Sequence, residues 1–472
     1  MRTGEMSADN GEKISRYSLF SPTDYRYGVA ALEPYLSEEA YVHYKAKVEI
    51  ALAQTLARRG VCSKKAADEI AEAASRVTAA EVYAEEERIR HDIRALVNII
   101  RRRVSDDAKP YVHATATSYD IVDTANALRY KDAVNSVVLP DMVAFEKILI
   151  DTASREKATL QVGRTHGQHA EPITFGFAVA QYVSRWGGRI LRVKQAADSL
   201  VGKFSGAVGA YNASALFFRD PEGFEEEVLG LLDLEPAELS TQIVPAEAQA
   251  DFAHSIVSAF GVLANYARDM RHLQRSEIGE VGEPYEMQQV GSSTMPQKRN
   301  PLNFENVESA WKKAMPEMMT VYMDQVSEHQ RDLTNSLSQR YLPELLVLFD
   351  SSIRRMARVT EQLRVDTDSM SRNFEAAKDK VIAEPLYILL AYYGHPDAHE
   401  YVRRLTGISY KTGKPLNDVA LRDEALKPYL SRFTENQRAI LKDPSNYTGI
   451  AAEKTEKVVS HWRRVLAEQG FD

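Results

Sequence analysis

From Ala246 to Glu277 the chain runs for about thirty residues without a proline and with one glycine, Gly261. Pro245 stands just ahead, where a first helical position tolerates its missing N–H. A helix of that length spans roughly 45–50 Å, far beyond the usual three turns. The stretches from about Asn303 to Val326, from Pro343 to about Leu363 and from Pro172 to Leu200 have the same character. Long helices that are apolar on more than one side need neighbours, from the same chain or from further copies of it. No βαβ rhythm and no alternating β-branched runs accompany them. The sequence therefore predicts an all-α protein of three helical parts: 1–112, a long-helix bundle domain 113–366, and a smaller domain 367–472. Two to four domains suit a chain of 472 residues.

The N-terminal part shows the local logic. Ser37 can cap a helix whose first turn holds Glu38 and Glu39, where negative charge suits the dipole. Tyr41, Tyr44, Val48, Ala51, Leu52 and Leu56 follow at three- and four-residue steps, and Gly60 is placed to end the helix.

Composition excludes several classes. A net charge of −8 gives no concentrated basic face for nucleic acid. The run Arg101 to Arg103 reads as a solvated helix end. Cys62 is the sole cysteine, which rules out an intrachain disulfide and a thiolate zinc site. A reducing, cytoplasmic home is expected. Met1 to Lys13 is polar and lacks the apolar core of a secretion signal. No stretch approaches the roughly 20 apolar residues of a membrane span.

Two middle stretches break the helical pattern. In Gly202-Lys203-Phe204-Ser205-Gly206-Ala207-Val208-Gly209 the hydroxyl of a phosphate-binding P-loop is missing after Lys203, and no strand is read before it. Close backbone packing between helices accounts for those glycines. The other stretch runs from Gly279 to Pro301 and contains Gly291-Ser292-Ser293-Thr294-Met295-Pro296-Gln297-Lys298-Arg299-Asn300-Pro301. Such a loop can close over a carboxylate, with Lys298 giving charge and Asn300 a directional donor. A plain polar surface loop explains the same composition.

Three further segments carry groups suited to chemistry. His166, in Gly163-Arg164-Thr165-His166-Gly167-Gln168-His169-Ala170-Glu171-Pro172, titrates near neutral pH and can act as acid or base. A structural histidine, or a metal ligand shared with His169, is the alternative, although no His-Glu-x-x-His pattern is present. Arg90-His91-Asp92 is read inside a helix, as a ligand-facing group or a solvated charged face. Thr117-Ser118-Tyr119-Asp120 offers hydroxyls to an anion, or a cap to the next helix through Ser118 or Asp120.

The Gly291–Pro301 loop, together with the Thr165-His166 block, resembles the signature of the fumarase/aspartase superfamily, and the resemblance covers nearly the whole chain from Arg26 onward. Several details resemble its adenylosuccinate lyase branch. These are Arg26-Tyr27, Arg90-His91-Asp92, Ser240-Thr241-Gln242, and the spacing of Arg331, Ser336 and Arg340. Guanidinium forks fit phosphate oxygens, as that branch's nucleotide substrate requires. There are departures. His113-Ala114-Thr115-Ala116-Thr117-Ser118 stands where many members have His-Tyr-Gly-Leu-Thr-Ser, Thr294 and Gln297 replace commoner residues in the loop, and His329-Gln330 replaces a His-Glu pair.

The resemblance implies β-elimination of fumarate without metal or cofactor, in a central-bundle fold assembled as a homotetramer with shared active sites. The implied substrates are adenylosuccinate, giving AMP, and the succinylated aminoimidazole carboxamide ribotide of purine biosynthesis. Ser292 would be the base and His166 the acid toward the leaving nitrogen. Lys298, Asn300, Ser293, Thr117, Ser118 and Thr165 would hold the carboxylates. His91 would position the purine side with Arg90 and Asp92, Gln242 would bind substrate, and Glu305 would pair with His166. Arg26, Tyr27, Arg331, Ser336 and Arg340 would serve the phosphate. Another superfamily lyase or cycloisomerase, such as an argininosuccinate lyase, is the second reading. A non-catalytic structural relative is the third, and intact Ser292, Lys298 and His166 argue against it.

Overall fold

Ser37 Oγ accepts the Ala40 N–H at 3.1 Å, and the helix it caps runs Glu38–Arg58 with Glu38 and Glu39 in its first turn. Tyr44, Val48, Ala51, Leu52 and Leu56 are buried along it, and Gly60 follows with φ +75°. The computed structural model describes residues 6–7, 13–14, 19–285, 288 and 291–471. Most of the polar stretch Met1 to Lys13 lies outside them.

The long helices are present. Phe175–Asp198, Glu247–Leu273 and Leu342–Glu361 have 24, 27 and 20 residues. At 1.5 Å per residue the middle one spans about 40 Å, shorter than its proline-free stretch allowed. The expected helix from Asn303 to Val326 is broken into Leu302–Ala314 and Glu317–Met323. Pro316 stands at the break. It has no N–H to give, and its ring crowds the carbonyl four residues earlier. The helix Ser118–Ala133 continues through a π-helical turn, Val134–Val138, into Leu139–Arg155, whose first turn accommodates Pro140.

The chain folds as two compact units, each built from separated segments. One comprises Met1–Met142, Gly188–Gly261 and Ser309–Arg354, and the other Val143–Gly187, Val262–Glu308 and Arg355–Asp472. These follow spatial clustering, whereas the three parts read from the sequence are consecutive. In the first unit Phe260 packs on Phe349 at 5.4 Å between ring centroids. In the second, Phe145 meets the edge of Trp186 at the same distance, and a C-terminal core gathers Leu386, Leu390, Val402, Leu405, Leu426 and Phe433.

Extended structure is scarce among the described residues, but one piece of it corrects the helical reading. Leu160–Thr165 and Gln168–Thr174 pair as an antiparallel hairpin, with Leu160 opposite Thr174 and Thr165 opposite Gln168. His166 and Gly167 form its two-residue turn with φ of +53° and +75°, the left-handed geometry that matches strand twist. A short parallel pairing of Val201–Gly202 with Glu235–Pro236 also precedes Lys203, where no strand is read from the sequence.

The hairpin register shifts between Val162 and Arg164, at Gly163. A Cβ on Gly163 would stand 2.5 Å from the Glu171 carbonyl oxygen. Gly163→Ala should therefore push the strands apart and destabilise the fold by about 1–3 kcal/mol. An unchanged melting temperature in this variant would show that the strands yield freely.

Candidate functional site

Arg90, His91 and Asp92 do not lie within one continuous helix but at the junction of two. Arg90, with φ +60°, ends the helix Ala79–Ile89, and His91 caps the next, Asp92–Arg101. His91 Nδ1 accepts the Arg94 N–H at 3.2 Å. An accepting Nδ1 puts the proton of the neutral ring on Nε2, which makes Nε2–H a donor. The junction thus aims three functional groups in one direction, which a continuous helix would spread over 200°.

They line a cavity of about 430 Å³ in the first unit. Ser118, Gln242, Ser336 and Arg340 line the same cavity, joined by Tyr41, Tyr119, Asn126 and Arg129. Seven of the residues singled out in the sequence therefore meet in one place. Thr117 is the N-cap of the helix carrying Ser118, so the cap falls one residue before Ser118. Asp120 is that helix's third residue, and its Oδ2 accepts the Thr117 N–H at 2.8 Å. Arg331 stands behind the wall. Its guanidinium lies 4.0 Å above the Tyr119 ring, hydrogen-bonds to the Tyr119 hydroxyl and donates to Asn335 Oδ1 at 2.9 Å. Arg26 is exposed at the end of the short helix Pro22–Tyr25, and neither it nor Tyr27 lines the cavity.

Two cavity groups, Tyr41 and Arg129, and Lys45 beside them carry no signal in the sequence. Tyr41 was read as helix-periodic packing, yet its ring lies 3.8 Å below Lys45 Nζ and 4.0 Å from the Arg129 guanidinium. Burial pushes the Tyr41 hydroxyl up to about 12, so it stays a neutral donor. Burial lowers the Lys45 ammonium from its ordinary value, against the pull of Asp92 Oδ2 3.5 Å away. A lysine and an arginine flanking one tyrosine across two helices leave no signal in sequence spacing.

The remaining residues belong to the second unit. His166 and Thr165 are exposed at the hairpin turn. The hairpin is anchored behind them by Glu280, a fully buried carboxylate that accepts from Gln161 at 2.7 Å, Arg164 at 3.0 Å and Asn373 at 2.8 Å. Burial, then Arg164, lowers the pKa of His169, which faces Arg164 across the strands. A neutral ring suits this place better than a charged one.

In the loop, Asn300 Nδ2 donates to the Gly291 carbonyl at 2.8 Å and closes the neck. At Gly291 a Cβ would come 2.1 Å from the Lys298 carbonyl oxygen, so only glycine fits. Ser292 Oγ accepts the Met295 N–H at 3.1 Å and the Thr294 N–H at 3.4 Å. Ser293 and Lys298 are exposed beside it. Glu305 is exposed in the first turn of Leu302–Ala314, which Glu283 caps through Asn303 N at 3.2 Å and Phe304 N at 2.8 Å. Within one chain no hydrogen bond or ion pair joins Glu305 to His166.

Comparison with known proteins decides the family. Residues 22–315 match the lyase family, and residues 327–427 match the adenylosuccinate lyase C-terminal family. Adenylosuccinate lyase of Archaeoglobus fulgidus is 36% identical over 453 residues, covering 95% of this chain and all of that protein. The chain belongs to the adenylosuccinate lyase family. The same enzyme from Pyrococcus abyssi is 38% identical, with 93% of this chain and 97% of that protein covered. Among solved structures, 3-carboxy-cis,cis-muconate lactonizing enzyme from Pseudomonas putida superposes with a TM-score of 0.82 at 25% identity, over 94% of this chain and 99% of that one. The chain is thus an all-α lyase of the fumarase/aspartase superfamily, and the neighbour shares the fold of that superfamily rather than a closer sequence.

Among described residues no helix is long and apolar enough to cross a membrane. Asp123, on the cavity helix, offers a test of the electrostatics. It accepts the Val244 N–H at 2.9 Å, and burial pushes its carboxyl up to about 6 from 3.8. The folded state therefore holds a proton that the unfolded chain releases between about pH 4 and pH 6, and stability from this group falls as pH rises through that window. Two pK units correspond to about 3 kcal/mol. Asp123→Asn should gain on the parent by about that amount between pH 4 and pH 7 in thermal unfolding. An equal gap at both pH values would assign the titration elsewhere.

Proposed function

We propose that this lyase releases fumarate from adenylosuccinate, giving AMP, and from the succinylated aminoimidazole carboxamide ribotide of purine biosynthesis. The observation that carries the reading is the convergence of Arg90, His91, Gln242, Ser336 and Arg340 on one cavity. Two guanidinium groups and a serine suit a phosphate, and His91 Nε2–H suits an acceptor on the purine side. Arg331 supports this wall through Tyr119, and Arg26 and Tyr27 stay assigned to the phosphate end by family likeness.

The proton to be removed sits on a carbon beside a carboxylate, so the site must stabilise a dianion as well as supply a base. Ser292 takes that proton. Its oxyanion is held by the Met295 and Thr294 N–H groups that already point at Oγ, with Lys298 adding charge once the loop excludes water. The carbanion's electron pair forms the new double bond, and the carbon–nitrogen bond breaks. His166 delivers a proton to the departing nitrogen, with Glu305 supporting its charge. Ser293, Thr165, Thr117 and Ser118 hold the two carboxylates. Asn300 closes the neck of the loop with one amide N–H on the Gly291 carbonyl and offers its second to a carboxylate.

Copies of the chain assemble as a homotetramer whose subunits share each active site. Met315, Met319, Tyr322, Met323 and Val326 are all exposed at helical spacing along and just past Glu317–Met323, Met319 at 68% and Val326 at 79%. Apolar stripes of this kind mark association surfaces, and a monomer by light scattering would contradict the assembly. A reducing cytoplasm is the proposed compartment, on the single buried Cys62, and cell fractionation that finds the protein exported would exclude it.

Ser292→Ala should lower turnover of adenylosuccinate by about 10³-fold or more while binding persists. His166→Asn should do the same and flatten the limb of the pH–rate profile set by the acid. Turnover retained within about threefold in either variant would remove that residue from its role.

A further inference from the structure

Lys203 and Asp120 are both wholly buried and paired with each other. Taking two charges out of water costs about as much as their attraction returns, so such a pair is weak support for stability. Its neighbours suggest another purpose. Asp120 Oδ2 accepts the Thr117 N–H at 2.8 Å and so fixes the turn from which Ser118 enters the cavity. Asp120 Oδ1 accepts from Lys203 Nζ and from the Gly206 N–H at 3.2 Å. Lys203 Nζ also donates to the Gly206 carbonyl at 3.2 Å. The Lys203 backbone N–H and carbonyl are both held by Thr124 Oγ1 at 3.1 Å.

The loop so anchored reaches the other wall of the cavity. Ser205 Oγ lies 2.5 Å from Ser240 Oγ. At Gly209, φ +79°, the backbone passes so close that a Cβ would stand 1.9 Å from the Ser240 carbonyl oxygen. Ser240 leads through Thr241 into Gln242, which lines the cavity. The glycines that read from sequence as close packing between helices thus let one loop span from the Ser118 turn to the Gln242 segment.

We propose that Lys203 and Asp120 are positioning residues, a buried strut that fixes Ser118 and Gln242 relative to each other without touching substrate. This rests on reading the cavity as the nucleotide side of the lyase site. Rigid spacing matters because displacing binding groups by about 1 Å can cost about a hundredfold in rate.

The double variant Lys203→Met/Asp120→Asn removes both charges, so no lone buried ion remains. Two readouts are taken on the assembled protein: amide hydrogen exchange by mass spectrometry, and steady-state kinetics with adenylosuccinate. The proposal expects exchange in residues 240–244 to quicken by about tenfold or more. It also expects KM to rise by about tenfold or more, with a smaller fall in kcat and an unshifted pH profile. Unchanged exchange there and KM within about twofold of the parent would overturn it, since a purely structural pair moves only the melting temperature. If the double variant does not fold, Ser205→Ala cuts only the link to Ser240. Faster exchange at 240–244 with a raised KM supports the strut, and no change in either refutes it. Should the parent fail to turn over adenylosuccinate, the substrate reading falls, while the exchange data still decide whether the strut exists.

Discussion

Asp120 and Asp123, on the Ser118–Ala133 helix, each hold a separate loop. Ser118, Tyr119, Val122 and Asn126 of the same helix line the cavity. One helix turn therefore sets both what the ligand meets and where the surrounding loops stop. A buried carboxylate is costly unless its oxygens find donors. Here the donors are a lysine and backbone N–H groups from loops with no regular structure of their own. The penalty for leaving either carboxylate unpaired is what makes the loops' positions definite.

The second unit uses the same physics. Glu280 is fully buried and collects Gln161, Arg164 and Asn373, tying a two-stranded hairpin to a neighbouring helix and to the start of the signature segment. His166 is then carried at a left-handed two-residue turn with its ring exposed. Ser292 is prepared differently. Two backbone N–H groups converge on its oxygen, the kind of donors that the proposed alkoxide would need. A weak base becomes usable where its charged form is solvated by fixed dipoles rather than by water.

Much of this was legible in the sequence where local chemistry decides structure. Ser37 as a cap, Gly60 as a terminator and the long proline-free helices follow from propensity and periodicity alone. The loop from Gly291 to Pro301 carries its own signature, because Gly291 admits no side chain and Asn300 closes the neck. What escaped depends on contacts distant in sequence. Gly163 to Pro172 holds too few alternating apolar residues to announce a hairpin, and its pairing is fixed by Arg164 reaching Glu280, 116 residues away. Arg90 to Asp92 looks helical by composition. The left-handed Arg90 that splits it closes the preceding helix through its N–H on the Glu86 carbonyl, a backbone state that composition does not announce. Arg331 has the right spacing for the phosphate cluster, but spacing does not show that Tyr119 stands in front of it.

The proposed substrate of this lyase is a succinylated purine nucleotide. The most direct measurement is to incubate the purified protein with adenylosuccinate, without added metal, and follow fumarate and AMP by chromatography. The account predicts both products in equal amounts. No product from a correctly folded assembly, with fumarate released instead from other succinylated amines or turnover confined to muconate-type substrates, would contradict it.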